Sequence, residues 1–182
     1  MLRAERIVHA QDRRRFLTVR TAVREILSGY LEEPAGSIRF RTGDKGKPQL
    51  DSPAPRLHFN LSHSHSLALL AVCSDQTVGI DLERIQSRPA LRRIARKLFD
   101  GPSLDRLEAL PGETFTAAFF HQWTALEARA KAVGEGVFTF RQSRTDIHYT
   151  HFAPRPGWCA AVASAGPLPT PNHWRTFRRP SE

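Results

Sequence analysis

The hydrophobic pattern along the chain switches between two periods. Across residues 12–31, "DRRRFLTVRTAVREILSGYL", apolar side chains recur at Phe16, Val19, Val23, Ile26, Leu27 and Tyr30. That i, i+3, i+4, i+7 spacing stacks them on one face of an α-helix, with Asp12 placed to cap its start. Arg20 falls within the same apolar arc. A buried guanidinium is costly unless paired, so Arg20 is expected to meet a carboxylate or carbonyls. A second helical pattern covers residues 114–133, "TFTAAFFHQWTALEARAKAV". Phe119, Trp123, Leu126, Ala130 and Val133 form its stripe, and Gly134 suits the position just past its end. Residues 89–99, "PALRRIARKLF", predict a shorter helix with Pro89 at its start and a basic face of Arg92, Arg93, Arg96 and Lys97. The loop "DGPS" is expected to end it.

Elsewhere the period is two. Residues 38–50, "IRFRTGDKGKPQL", read as a strand, a loop turning at Gly43, Asp44 and Gly46, and a short extended piece. "LHFNLSHS" at 57–64 leads into the strand "LALLAVC" at 67–73, and "TVGIDLERI" at 77–85 follows the short turn "SDQ". The last two strands are placed to form a hairpin. In "TVGIDLERI", Val78, Ile80 and Leu82 alternate, which leaves Gly79, Asp81 and Glu83 on the opposite face. Glycine and aspartate are poor strand formers, and like charges two residues apart repel. That face either looks at water or shares a cation; from this stretch alone the solvated face is the simpler account. After residue 134, "VFTF", "DIHYTHF" and "WCAAVAS" read as β-like, and the proline-rich end from Gly166 as irregular. A long helix followed by strands thus occurs twice.

The chain has 182 residues, 40% hydrophobic and 25% charged, enough for one compact domain or two small lobes. The N-terminus "MLRAERIVHA" lacks the apolar stretch of a secretory signal, and no apolar run approaches the roughly 20 residues of a membrane span. Cys73 and Cys159 stand alone in apolar stretches and are expected as buried thiols. A soluble, cytoplasmic protein follows as the expectation. Charge adds a constraint. Lys and Arg number 27 against 18 Asp and Glu, for a net +9, and four of the 27 are lysines. Arginine suits bidentate contact with phosphate or carboxylate. Nucleic acid, a phosphorylated small molecule or an acidic protein would each fit this charge. The absence of helix-turn-helix spacing, zinc-finger spacing and an RNA-binding aromatic signature leaves nucleic acid the least supported.

Four polar clusters interrupt the regular elements: "GKP" at 46–48, "NLSHS" at 60–64, "DLE" at 81–83, and Glu127 with Lys131. Singly, each has an ordinary reading as a turn, a cap or a surface ion pair. Together, Asp81, Glu83 and Glu127 supply three oxygen ligands that suit Mg²⁺, and Lys47, His63 and Lys131 supply positive groups for a polyphosphate. Those are the parts of phosphoryl-type transfer, in which catalysis is mostly positioning and charge neutralisation.

"GKP", "FNLSHS", "GIDLE" and W-x-x-x-E-A-x-x-K-A-x-G-x-G, in that order, resemble the surfactin-type 4′-phosphopantetheinyl transferases over roughly residues 12–140. The resemblance implies a pseudo-dimeric α+β fold: two similar halves, residues 1–76 and 77–182, each with a long helix packed on a small antiparallel sheet. One chain then supplies both halves, so a monomer is expected. It implies that coenzyme A lies between the halves and that its phosphopantetheine passes to a serine of an acidic acyl, polyketide or peptidyl carrier protein, releasing adenosine 3′,5′-bisphosphate. By the same resemblance Asp81, Glu83 and Glu127 hold Mg²⁺ or Mn²⁺, His63 contacts the diphosphate, and Ser62 the nucleotide end. Gly46, Lys47 and Pro48 line the adenine side, Arg15 sits near a phosphate-contacting basic residue, Lys131 assists the leaving group, and Glu127 takes the serine proton.

Three positions depart from the family pattern. Leu126 stands where a phosphate-contacting lysine is usual. Eleven residues, Arg3 and Arg6 among them, precede the first helix, where relatives usually carry a longer segment. "FDGPS" replaces an aromatic-Ser-x-x-Glu pattern. These departures motivate an alternative, a non-catalytic protein that binds coenzyme A or a carrier on the same scaffold.

Overall fold

The computed structural model describes residues 8–43, 46–51, 57–74, 76–142, 146–170 and 174. Arg3, Arg6, the turn at Asp44 and most of the tail past residue 170 lie outside the described residues.

Helix α1 spans Ala10–Leu31. It starts two residues earlier than the pattern predicts, with His9 at the cap position. Asp12 makes no cap there but sits in the first turn, where its charge complements the helix dipole. Val23 and Leu27 are buried and pack with Ile38, Leu50 and Phe59, while Ile26 and Tyr30 of the predicted stripe are exposed. Arg20 is not in the core. It is exposed, with its guanidinium 5.6 Å from the Phe16 ring centre and 5.8 Å from that of Phe40. Arg24, one turn on, meets the carbonyls instead, donating to Ala35 O at 2.9 Å and Ile38 O at 2.7 Å. The chain turns back past the end of the helix, so acceptors come within reach of Arg24.

Strand β1 (Phe40–Thr42) pairs antiparallel with β2 (Pro48–Leu50). Strand β3 (Leu57–Ser64) pairs with β4 (Leu67–Ser74) through a two-residue turn in which His65 takes φ 48°. The expected hairpin between residues 67–73 and 77–85 is therefore absent. The pairing edge of β4 is spent on β3 across a shorter loop, which costs less to close. Strand β5 (Val78–Arg84) instead pairs with β7 (Trp158–Ser164), which pairs in turn with β6 (His148–Phe152), giving the order β5-β7-β6.

Among the described residues, four helices run between β5 and β6: α2 (Leu91–Leu98), α3 (Gly101–Glu108), α4 (Gly112–Val133) and α5 (Val137–Gln142). "DGPS" starts α3 as well as closing α2. The Asp100 carboxylate accepts from Ser103 N at 3.3 Å, and Pro102 sits in the first turn, where its missing N–H costs nothing. "VFTF" is helical in α5, not a strand; four residues are too few to fix a period. Gly134 closes α4 at φ 75°, its N–H donating to Ala130 O and Lys131 O, as its position in the sequence predicts.

The result is an α+β fold in which α1 lies on small two-stranded sheets and α4 on the three-stranded sheet. From Val78 to Leu82 every residue of β5 is buried, so the face carrying Gly79 and Asp81 is not solvated. A Cβ on Gly79 would run into Ala128 O and Ala132 N of α4. The space beside Gly79 is therefore filled by helix backbone and not by an ion. Both cysteines are free; Cys159 is buried, with its thiol pushed up to about 11 by burial, whereas Cys73 is half-buried. Among the described residues no helix is long and apolar enough to cross a membrane.

Candidate active site

The close packing of α4 on β5 brings Glu127 and Lys131 over Asp81 and Glu83. Lys131 Nζ lies 2.6 Å from Asp81 Oδ1 and 4.0 Å from Glu127 Oε2. The Asp81 side chain is 6% exposed; Ser62 Oγ also donates to its Oδ1, at 3.0 Å, while its Oδ2 has no partner. Glu83 accepts from Ser64 Oγ at 3.0 Å.

Charge is out of balance here. Burial raises the Asp81 pKa against the opposing pull of the Lys131 ammonium. Burial raises that of Glu83, and the Asp81 charge adds to it. Burial also raises that of Glu127; Lys131 opposes this, and Asp81 and Glu83 reinforce it. Asp81 and Glu127 share one ammonium, and Asp81 Oδ2 is buried without a partner; with Glu83 these are oxygen donors of the kind a divalent cation takes. Among the described residues no three His, Cys, Asp or Glu side chains are gathered closely enough to hold a metal as they stand. The cation that Asp81 meets is Lys131.

Strand β3 meets the free edge of β5 with side chains. Asn60 Oδ1 accepts from Ile80 N at 2.8 Å, Ser62 Oγ from Leu82 N at 3.2 Å, and Ser64 Oγ from Arg84 N at 3.4 Å. Alternation along β3 puts His63 on the other face, away from the carboxylates, and it is exposed. Arg15 is exposed on α1, and Gly46 is exposed at φ 81°. Pro48 is half-buried at the start of β2. Lys47 donates from Nζ to Lys131 O at 2.6 Å and to Val78 O at 3.0 Å, which ties β2 to the last turn of α4. Burial and the Lys131 charge lower its pKa to about 8. A pocket beside it is lined by Arg41, Gln49, His58 and Thr77. Leu126 packs against the cluster of Ala128, Phe140 and Ile147. Arg129 lies 5.1 Å from the Phe140 ring centre and 5.4 Å from that of Tyr149, and so does not replace the absent lysine.

Of the residues singled out from sequence, Ser62, Asp81, Glu83, Glu127 and Lys131 form one cluster, and Lys47 joins it through the Lys131 carbonyl. Arg15, Gly46, Pro48 and His63 have no contact with it in the hydrogen bonds and ion pairs of the described residues. Ser64 joins the cluster at Glu83 and Asn60 holds the strand beside it, two roles not assigned to these residues from the sequence; the alternating N-x-S-x-S of a strand is the signal that could have found both.

A family model described as the 4′-phosphopantetheinyl transferase superfamily matches residues 77–162, and one described as the N-terminal part of 4′-phosphopantetheinyl transferase matches residues 2–75. The chain is 35% identical over 190 residues to the 4′-phosphopantetheinyl transferase HetI of Nostoc sp., covering 96% of this chain and 80% of that one. It is 32% identical over 135 residues to the 4′-phosphopantetheinyl transferase Sfp of Bacillus subtilis, covering 74% of this chain and 58% of that one. To the human L-aminoadipate-semialdehyde dehydrogenase-phosphopantetheinyl transferase it is 28% identical over 145 residues, covering 74% and 47%. It thus spans little more than half the length of several relatives that it matches.

Proposed function

The chain belongs to the 4′-phosphopantetheinyl transferase family, and on that premise we propose that it transfers 4′-phosphopantetheine from coenzyme A to a serine of a carrier protein. The observation that carries this reading is buried Asp81 and half-buried Glu127 on either side of the Lys131 ammonium, with Glu83 two residues along the same strand face. Glu127 takes the serine proton; burial raises its pKa toward the working pH, which makes a carboxylate a better base. The serine oxygen bonds to the phosphorus that carries pantetheine, the phosphoanhydride bond breaks, and adenosine 3′,5′-bisphosphate leaves. Lys131 stabilises the departing phosphate. Asp81, Glu83 and Glu127 would hold Mg²⁺ or Mn²⁺, which supplies charge neutralisation on the diphosphate.

The pocket beside Lys47 suits the nucleotide end of the coenzyme, with Gly46 and Pro48 at its side. Arg15 and His63 are exposed positive candidates for phosphate, and their assignment rests on the resemblance to the surfactin-type enzymes. The net +9 surface suits acidic carrier domains. A cytoplasmic, monomeric enzyme fits a chain that supplies both halves of the site. The test is mass spectrometry of an apo carrier protein incubated with coenzyme A, Mg²⁺ and this protein. The carrier gains a phosphopantetheine group, and Glu127→Gln lowers the rate by about a thousandfold, the scale expected when a general base is lost from an electrostatic site. No gain across acyl, polyketide and peptidyl carriers overturns the proposal. The packing of half-buried Leu126 against the core, where a phosphate-binding lysine is usual, favours a second reading: coenzyme binding without transfer. Tight coenzyme binding with no carrier modified would select it.

A further inference from the structure

We infer that Asn60, Ser62 and Ser64 are positioning residues: a ladder of side chains that stands in for backbone pairing along β5, aims Asp81 and Glu83, and leaves neither serine free to bind coenzyme phosphate. This deepens the transferase reading and rests on it for its catalytic consequence.

Among the described residues, strand β5 pairs by backbone on one edge only, with β7. Its other edge would present unmet N–H groups inside the protein, and buried donors need partners. The acceptors come from every second residue of β3: Asn60 for Ile80, Ser62 for Leu82 and Ser64 for Arg84. The offset is 20 residues at each rung, so β3 and β5 run in step and the two halves of the chain are held in register.

Each serine does two things at once. A hydroxyl has one proton to give and lone pairs to receive with. Ser62 receives from Leu82 N and gives its proton to Asp81 Oδ1; Ser64 receives from Arg84 N and gives its proton to Glu83 Oε2. The same oxygen therefore fixes the backbone of β5 and the rotamer of a neighbouring carboxylate. A phosphate offers acceptors only, so either serine would have to abandon its carboxylate to bind one. Ser62, assigned to the nucleotide end by resemblance, is here reassigned to the carboxylates. Partners that orient the groups of a site typically change affinity or activity by about 10- to 100-fold when removed.

The test uses the full chain with Ser62→Ala, Ser64→Ala and Ser62→Thr. Amide exchange by NMR reads the ladder directly, calorimetry reads coenzyme A affinity, and steady-state kinetics separate kcat from KM. In Ser62→Ala the Leu82 amide exchanges at least about tenfold faster, coenzyme affinity and KM stay within about twofold, and kcat falls about 10- to 100-fold. Ser64→Ala does the same at Arg84. Ser62→Thr keeps the hydroxyl and returns kcat to within a few fold of wild type. A rise of tenfold or more in coenzyme KM at unchanged kcat in Ser62→Ala overturns the inference, as does unchanged exchange at Leu82. Should Ser62→Ala not fold, Ser64→Ala and Ser62→Thr decide on the same criteria. Should the wild-type protein modify no carrier, the transferase reading fails alone, because amide exchange and calorimetry still judge the ladder.

Discussion

Helices α1 and α4 have the same length, 22 residues, and opposite situations: α1 buries two of its residues and α4 nine. The first covers one face of small sheets and offers water Arg13, Arg14 and Arg15. The second is enclosed by β5 and β7, by the aromatic cluster under α2 and α3, and by Phe140 of α5. Its last three turns carry Ala125, Ala128, Ala130 and Ala132, all buried, and Gly79 lies against them. Small residues let the two backbones come close, and that closeness sets Lys131 on Asp81. A site whose chemistry is positioning needs a support that cannot shift. Equal length and periodicity thus conceal which helix is a lid on the core and which is the core.

The sharpest way to break this contrast is Gly79→Ala. The added methyl meets helix backbone, which cannot rotate aside as a side chain would. The expected cost is about 3 kcal/mol or more, at the top of the overpacking range, read as loss of the cooperative thermal transition. An unchanged transition would mean that α4 stands off the sheet.

Lys131→Met comes next. It leaves Asp81 buried at 6% exposure without its cation, at an expected cost of up to about 3 kcal/mol, the low end for a broken buried pair because Lys131 is itself 29% exposed. Urea unfolding measures this, and carrier modification should be lost with it. Added Mg²⁺ should recover part of the stability, since the surplus carboxylate charge is what the variant enlarges.

Much of this arrangement is legible in the sequence, for reasons that also mark where legibility ends. The existence of α1 and α4, each starting two residues before the pattern predicts and ending where it predicts, and the glycine that closes α4 depend on local period and residue type. The close approach at Gly79 depends on a helix some fifty residues away, whose alanines weigh little in a hydrophobic pattern. Arg20 and Arg24 exchange roles because carbonyls of the returning chain decide between them. Lys47 is visible as a positive group, yet its partners are backbone oxygens, which no side-chain pattern encodes. The serines of "NLSHS" are visible too, but their duty appears only once β3 lies beside the free edge of β5.

Lys47 sharpens the comparison by pH. Its pKa falls from 10.5 to about 8 on folding, chiefly through burial. Between those values the unfolded chain holds a proton that the folded chain has released, so stability rises with pH across that window and is flat below it. The gain is of the order of 1 kcal/mol once partial exposure is discounted. Thermal unfolding from about pH 7 to 10.5, wild type against Lys47→Met, isolates it: wild type should gain stability relative to the variant as pH rises. Parallel curves would mean that Lys47 is solvated and does not fasten β2 to α4.

The smallest effect belongs to the other long helix. Gly29 lies in α1 with nothing within 4 Å of where a Cβ would stand, and it is exposed. In a helix interior alanine restricts the unfolded chain more than glycine does, so Gly29→Ala should stabilise by roughly 0.5–1 kcal/mol. Urea unfolding reads the gain, and carrier modification should not change, because α1 bears none of the clustered carboxylates. The same substitution thus has opposite signs at two glycines, for one physical reason: Gly79 faces backbone and Gly29 faces water. A loss of stability at Gly29 would show that α1 is packed on a side the fold leaves open, and α1 would then share the constraint that the fold reserves for α4.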